Sequence, residues 1–262
     1  MSEILVHPLA SGSSGNSILV SHKGVNLLFD AGLSSKRIVS RLSSAGFDIK
    51  DISAAIISHE HIDHIKGVGV LSRRYGLKIM ATEKTMSHII DSGKVGDIPH
   101  YSTFSRTIPF LMGDMEITAL PVPHNAVEPS AFIIRFPDGG KISIATDLGH
   151  TPLALRNMMK GSRMLILESN YDEKMLRNGH YPQPLKEQIM GPTGHLSNCL
   201  AAMTLREVVT RETQRVLLAH LSENNNLPEL ALKTVKKYIN PTAPHQQIDV
   251  AKRHEPGDFY RL

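Results

Sequence analysis

Ser-His-Glu-His-Ile-Asp-His, residues 58 to 64, places three histidines and an aspartate within six positions, His59 to His64. Close clusters of histidine and carboxylate are a sequence signature of metal sites. Residues two apart on an extended chain point the same way, so His59 and His61 can converge on one ion. Asp63 and His64 begin a helical pattern and point elsewhere, which suits a second ion beside the first. Imidazole with carboxylate is ligation for zinc, manganese or iron. Six residues cannot enclose two ions, so further ligands must come from other parts of the chain.

The elements that must position them are strands whose ends carry the chemistry. Ser53 to Ser58 is a short β-branched run that reads as a buried strand, releasing the motif at the sheet's edge. Val25 to Phe29 ends in Asp30, which is either a helix cap or a carboxylate standing behind a histidine ligand. Met115 to Leu120 runs into Pro121-Val-Pro-His124, where two prolines stiffen the chain before a third histidine ligand. Lys141 to Ala145 leads to Asp147, which can cap a helix at Pro152 to Met159 or bridge two ions with its two oxygens. Arg163 to Leu167 ends in Glu168, and Arg215 to Ala219 delivers His220.

Between strands Ile4 to Leu9 and Ser17 to Val20 lies a Gly/Ser-rich stretch, residues 10 to 17. Its backbone N–H groups and hydroxyls can cradle an anion, with Ser13, Ser14 and Asn16 as the candidate phosphate-binding residues. A turn of this composition is more often only a turn, and it lacks the Gly-Lys-Ser/Thr of a P-loop. Helices are predicted over residues 34 to 45, 64 to 75, 83 to 91, 172 to 178, 185 to 190, 197 to about 210 and 228 to 239. Residues 93 to 112 read as a loop with a short strand. Ser130 to Phe136 and Lys141 to Ala145 form a hairpin around Pro137-Asp-Gly-Gly140, and terminal strands fall near Gln247 to Ala251 and Phe259.

Composition bounds the rest. With 262 residues, 41% apolar and 21% charged, the chain is globular. The pattern has no linker and is read as one domain, 1–262. The net charge of +4 permits a polyanionic substrate. No basic leader or membrane-length apolar run is found, so a cytoplasmic protein is expected, with no membrane partner. Cys199, the one cysteine, excludes an intramolecular disulfide and reads as a buried structural thiol. His7, His22, His88, His100, His180, His245 and His254 lack ligand-like neighbours and read as surface or internally satisfied residues. His150 lies close in sequence to Asp147, and Lys66, just past the motif, can meet a phosphate or lie on an exposed helix face.

Taken in order, His59, His61, Asp63, His64, His124, Asp147 and His220, with Asp30, resemble the full motif set of the metallo-β-lactamase superfamily. Ser11-Gly-Ser-Ser-Gly-Asn-Ser17, Ala-Thr-Asp-Leu-Gly, Leu-Glu-Ser-Asn-Tyr-Asp, Gly-His-Leu-Ser-Asn and Leu-Ser-Glu-Asn-Asn-Asn-Leu-Pro are similar to segments of the bacterial YycJ (WalJ) family. That resemblance implies an α/β fold, a four-layer αββα sandwich of two mixed sheets flanked by helices. It also implies a 5′-to-3′ exonuclease acting on nucleic acid, DNA rather than RNA. No protein partner follows from it.

By the same resemblance, His59, His61 and His124 hold one divalent ion, Asp63, His64 and His220 a second, and Asp147 bridges them, with zinc or manganese as the metal. Two such ions can share a hydroxide and clamp a phosphate for in-line attack. Glu168 and His195 resemble the acid-base pair of related tRNA-processing hydrolases and are the candidate proton donors at the leaving oxygen. The rival reading keeps the fold and makes the substrate a thioester, a lactam or another small ester.

Overall fold

The computed structural model describes residues 3–239 and 246–262, so His245 lies outside the described residues. Strands β1 (Ile4–Ala10), β2 (Ser17–His22) and β3 (Val25–Phe29) precede helix α1 (Ser35–Ser44). Next come β4 (Ile52–Ile56), α2 (Ile62–Ile65), α3 (Val68–Tyr75), β5 (Ile79–Thr82), α4 (Glu83–Ser92), β6 (Tyr101–Phe104) and β7 (Phe110–Met112). The chain continues with β8 (Met115–Pro121), β9 (Ser130–Arg135), β10 (Lys141–Ala145), α5 (Leu153–Met159), β11 (Met164–Glu168), α6 (Glu173–Asn178) and α7 (Gln183–Met190). It closes with α8 (Asn198–Val208), β12 (Arg215–Ala219), α9 (Pro228–Tyr238), β13 (Gln247–Val250) and β14 (Tyr260–Arg261).

These elements fall into two compact units. The first comprises residues 1–113, 126–129 and 252–262; the second comprises 114–125 and 130–251. The sheet of the first unit has the order β14-β1-β2-β3-β4-β5-β6. Its strands β1 to β3 pair antiparallel and β3 to β6 parallel. Leu9, Leu19, Leu28, Ala55 and Ile79 on one face pack with Ile38 and Leu42 of α1, Leu71 of α3, and Met86 and Ile89 of α4. The alternate residues Val6, Val20, Leu27, Phe29 and Ile56 are buried as well, which explains why these strands read as continuous apolar runs.

The second sheet has the order β13-β12-β11-β10-β9-β8-β7. Strands β10 to β13 are parallel, and β8, β9 and β10 form an antiparallel meander containing the expected hairpin. Ile133, Ala145, Leu165, Leu167 and Leu218 pack with Leu155 and Met159 of α5, Ala201 and Leu205 of α8, and Ala231 and Val235 of α9. Two seven-stranded mixed sheets flanked by helices are the expected fold class.

Three expectations need correction. The helix read over 64 to 75 is two helices, because Gly67 breaks it: its N–H donates to Ala31 O at 2.8 Å, and a Cβ there would lie 2.6 Å from Leu33 O. Asp30 and Asp147 do not cap helices, since Ser34 and Pro152 occupy those positions. The 58–64 motif leaves the C-terminal end of β4, an interior strand, so the edge that carries it is the one made by strand ends, as expected. Cys199 is half-buried in the first turn of α8, where burial, reinforced by Glu173 and Asp172, pushes its thiol up and keeps it an inert thiol.

Candidate metal and acid-base site

Parallel strands deliver their C-terminal ends to the same end of a sheet, and both units use this. In the first unit β3 and β4 are parallel neighbours. Asp30, the residue after β3, takes φ +62°. Its Oδ1 accepts the Ser58 N–H at 2.8 Å. Its Oδ2 accepts the Ser58 hydroxyl at 2.9 Å and His64 Nδ1–H at 2.7 Å. Ser58 has given its one proton to Asp30, so its Oγ accepts from His59 Nδ1 at 2.9 Å. Both imidazoles are thereby fixed with Nε2 as the lone-pair donor.

His59 Nε2 lies 3.1 Å from His61 Nδ1. Two donors on one ion at bond lengths of about 2.0–2.1 Å are roughly 3.3 Å apart, so the spacing suits a shared cation. His64 Nε2 lies 3.5 Å from Asp63 Oδ2. Within the motif the two expected pairings are therefore present.

The Gly/Ser loop meets this cluster through Asn16, which is buried, whereas Ser13 and Ser14 are exposed. Asn16 N–H donates to Asp63 O at 2.8 Å, its Oδ1 accepts the Gly12 N–H at 2.8 Å, and its Nδ2 lies 3.0 Å from His64 Nε2. Asn16 thus braces the motif, and the two serines alone face solvent. Glu60, unremarked in the sequence, accepts Val127 N–H at 2.8 Å and ties the motif to residues 126–129 of the same unit. Lys66 and His150 are exposed, His150 Nδ1 lying 3.2 Å from Pro192 O.

In the second unit β10, β11 and β12 are parallel neighbours, and Asp147, Glu168 and His220 stand at their C-terminal ends. Asp147 and His220 take φ +58° and +55°. Glu168 is fully buried, and all of its acceptor capacity is used. Oε1 accepts His195 Nδ1–H at 2.7 Å and His220 Nδ1–H at 2.9 Å. Oε2 accepts the backbone N–H groups of Leu148 and Leu196, each at 3.1 Å. Asp147 Oδ1 is 3.5 Å from His220 Nδ1 and 3.9 Å from His124 Nε2. His124 donates Nδ1–H to Gly194 O at 3.1 Å, and the same loop's Thr193 O accepts Asn125 N–H at 3.1 Å.

The electrostatics divide these histidines by role. Burial pushes His124 below the ordinary imidazole value and Asp147 pulls it back only in part, so it is a neutral ring, as ligation requires. Burial opposes charge on His195 too, but there the Glu168 carboxylate and its hydrogen bond win and hold the ring above its usual value. Burial likewise disfavours the Glu168 carboxylate, and the charge of His195 with bonds from His195 and His220 outweighs it.

The donor set fits divalent cations. His59, His64, His124 and His220 are buried and each has Nδ1 committed to an oxygen, leaving Nε2 as the donor. Asp147, Glu168, His195 and His220 each offer an atom within 4.8 Å of the others, but Glu168 is saturated by hydrogen bonds and serves the rings. The sequence named Glu168 as a partner of His195 and missed that it also orients His220. The buried asparagines 170, 198 and 226 around it carried only a family likeness.

Over residues 25–221 the chain matches the beta-lactamase superfamily domain, and it belongs to that superfamily. It is 39% identical over 236 residues to exodeoxyribonuclease YycJ of Bacillus anthracis, covering 88% of this chain and 87% of that protein. It is 38% identical over 232 residues to exodeoxyribonuclease WalJ of Streptococcus pneumoniae, covering 87% and 85%. In fold it is similar to the metallo-beta-lactamase fold protein YhfI from Bacillus subtilis, with TM-score 0.76 at 19% identity over 100% of both chains. It is also similar in fold to the short form of human tRNase Z, with TM-score 0.68 at 15% identity over 97% of this chain and 98% of that one.

Proposed function

We propose that the protein is a divalent-metal-dependent exodeoxyribonuclease that removes nucleotides from DNA in the 5′-to-3′ direction. The observation that carries this reading is the Glu168–His195 pair beside Asp147 and His220, within a chain 39% identical to an exodeoxyribonuclease. The chain is read as one domain, 1–262. His59, His61 and His124 would hold one ion and Asp63, His64 and His220 a second, with Asp147 available to both. The ions are zinc or manganese, and when bound they supply an activated water and neutralise phosphate charge.

The protein's own groups do the rest. Asp30, Ser58 and Glu168 fix the ligand rings, and Gly194 O fixes His124. His195, with Nδ1–H on Glu168, presents Nε2–H to the leaving oxygen as its proton donor. The exposed hydroxyls of Ser13 and Ser14, on a loop anchored to the motif by Asn16, receive a phosphate of the strand. Among the described residues no helix is long and apolar enough to cross a membrane, and we place the protein in the cytoplasm.

The test is incubation of zinc- or manganese-loaded protein with end-labelled single- and double-stranded DNA and RNA, beside Asp63→Ala. Nucleotide release from the 5′ end of DNA, lost in the variant and on chelation, is expected. No release from any nucleic acid, with hydrolysis of a thioester or lactam instead, would overturn the reading.

A further inference from the structure

The segments carrying Glu168, His195 and His220 are tied together by buried amides that no step of the proposed reaction uses. Ser169 and Asn170 follow Glu168, Asn198 opens α8 just after His195, and Asn226 precedes α9. Asn198 and Asn226 are 2% and 1% exposed. Their side chains bond reciprocally, Asn198 Nδ2 donating to Asn226 Oδ1 and Asn226 Nδ2 to Asn198 Oδ1, both at 2.9 Å. Asn226 Nδ2 also lies 2.8 Å from Ser169 O and 3.1 Å from Asn170 O, and its Oδ1 accepts Leu227 N–H at 2.9 Å. The Ser169 hydroxyl donates to Asn198 Oδ1 at 2.6 Å, and Asn170 Nδ2 donates to His220 O at 2.8 Å.

Apolar packing would fill this space but would not set the rotation of one segment against another. Hydrogen bonds are directional, and a buried amide network is costly to leave half-made. Two imidazoles sharing one oxygen of Glu168, at 2.7 Å and 2.9 Å, need three chain segments in fixed register. Asn226 is the residue that touches two of them directly, and Asn170, whose carbonyl it holds, reaches the third by donating to His220 O and accepting Ser222 N–H.

We infer that Asn226 is a positioning residue for this centre. By pairing with Asn198 and holding the carbonyls of Ser169 and Asn170, it sets Glu168 against His195 and His220, and so the direction of both Nε2 atoms. The reaction it serves rests on the function proposed above; the geometry it sets does not.

The test uses full-length Asn226→Ala and Asn198→Ala proteins with three readouts. In the metal-free proteins, proton NMR follows the imidazole Nδ1–H signals of His195 and His220 bonded to Glu168. Zinc affinity is measured by competition with a chromophoric chelator, and kcat and KM are measured on duplex DNA with manganese. The expected result is loss or upfield movement of both signals and zinc binding weaker by about 10–100-fold. A fall in kcat of at least about tenfold, with KM nearly unchanged, is expected beside it. Retention of both signals and of wild-type zinc affinity, with only a lower melting temperature, would reduce Asn226 to a packing role and overturn the inference. Should Asn226→Ala not fold, Asn198→Ala decides by the same readouts. A wild-type protein inactive on every nucleic acid would refute the proposed function, while the NMR and zinc measurements would still judge Asn226.

Discussion

Asp30 accepts the Nδ1–H of His64 at 2.7 Å with the same carboxylate that holds the N–H and hydroxyl of Ser58. One side chain thus sets the tautomer of His64 directly and that of His59 through Ser58. Asp30→Ala should weaken zinc binding by about 10–100-fold, as loss of an outer partner does. It should also cost about 1–3 kcal/mol of stability by leaving Ser58 N–H buried without its acceptor. Calorimetric zinc titration and urea unfolding measure the two effects, and unchanged zinc affinity would remove Asp30 from the metal-binding role.

Gly32 passes so close to the motif that a Cβ on it would fall 1.6 Å from Asp63 O. Backbone cannot yield as a flexible side chain can. Gly32→Ala is expected to destabilise the protein by about 3 kcal/mol or more, at the upper end of overpacking costs. An unfolding midpoint within error of wild type would show that the loop relaxes freely.

His220 occupies left-handed backbone at φ +55°. Alanine is strained there and glycine is not, so in metal-free protein His220→Gly should be more stable than His220→Ala by about 1 kcal/mol. Both variants lose the same ring, which isolates the backbone contribution. Equal unfolding midpoints would refute the strain.

His195→Ala should reduce kcat by about 10²–10⁴-fold, the range for removing a general acid, while zinc content by elemental analysis stays at the wild-type level. Glu168→Gln should be worse on both counts, because it disturbs His220 as well as His195. Full turnover in His195→Ala would exclude its role as proton donor.

His7 is buried and stacked on Phe259 with ring centroids 4.1 Å apart. Burial pushes it below the ordinary value, and its contacts with Asp258 restore only part. The unfolded ring titrates near 6.5, so between that pH and the lower folded value the unfolded chain binds more protons. The contribution is therefore complete above about pH 6.5 and is lost as pH falls through the folded value. Unfolding free energies compared at about pH 5.5 and 7.5 should show a larger acid loss in wild type than in His7→Phe; identical losses would count against it.

The strand-end ligands were legible because each follows an apolar β-branched run, and such runs mark strands buried on both faces. His124 was legible from its flanking prolines. What spacing could not show was which partner each ring takes, since those partners come from distant segments: Asp30 for His64, Gly194 for His124, Glu168 for His220. Asp30 and Asp147 looked like possible caps because aspartate after a strand commonly is one, and only their left-handed backbone separates the two uses. Asn16 has the residue type and the Gly/Ser company of a phosphate ligand, yet its hydrogen bonds point inward to Gly12, Asp63 and His64. Asn226 carried no signal of its own, because an asparagine in an Asn-Asn-Asn run looks like solvated loop.

The last residues of the chain belong to the first unit: β14 pairs with β1, and Arg41 donates to Leu9 O and to His254 O. On the ribosome, β1 is made well before its outer neighbour β14. At about 5–20 residues per second, the intervening sequence takes tens of seconds to emerge. Throughout that interval the outer edge of β1 is an open template for another strand. The nascent first unit thus carries a hazard of mispairing that the completed chain does not, and the cell must either shield that edge or outrun it.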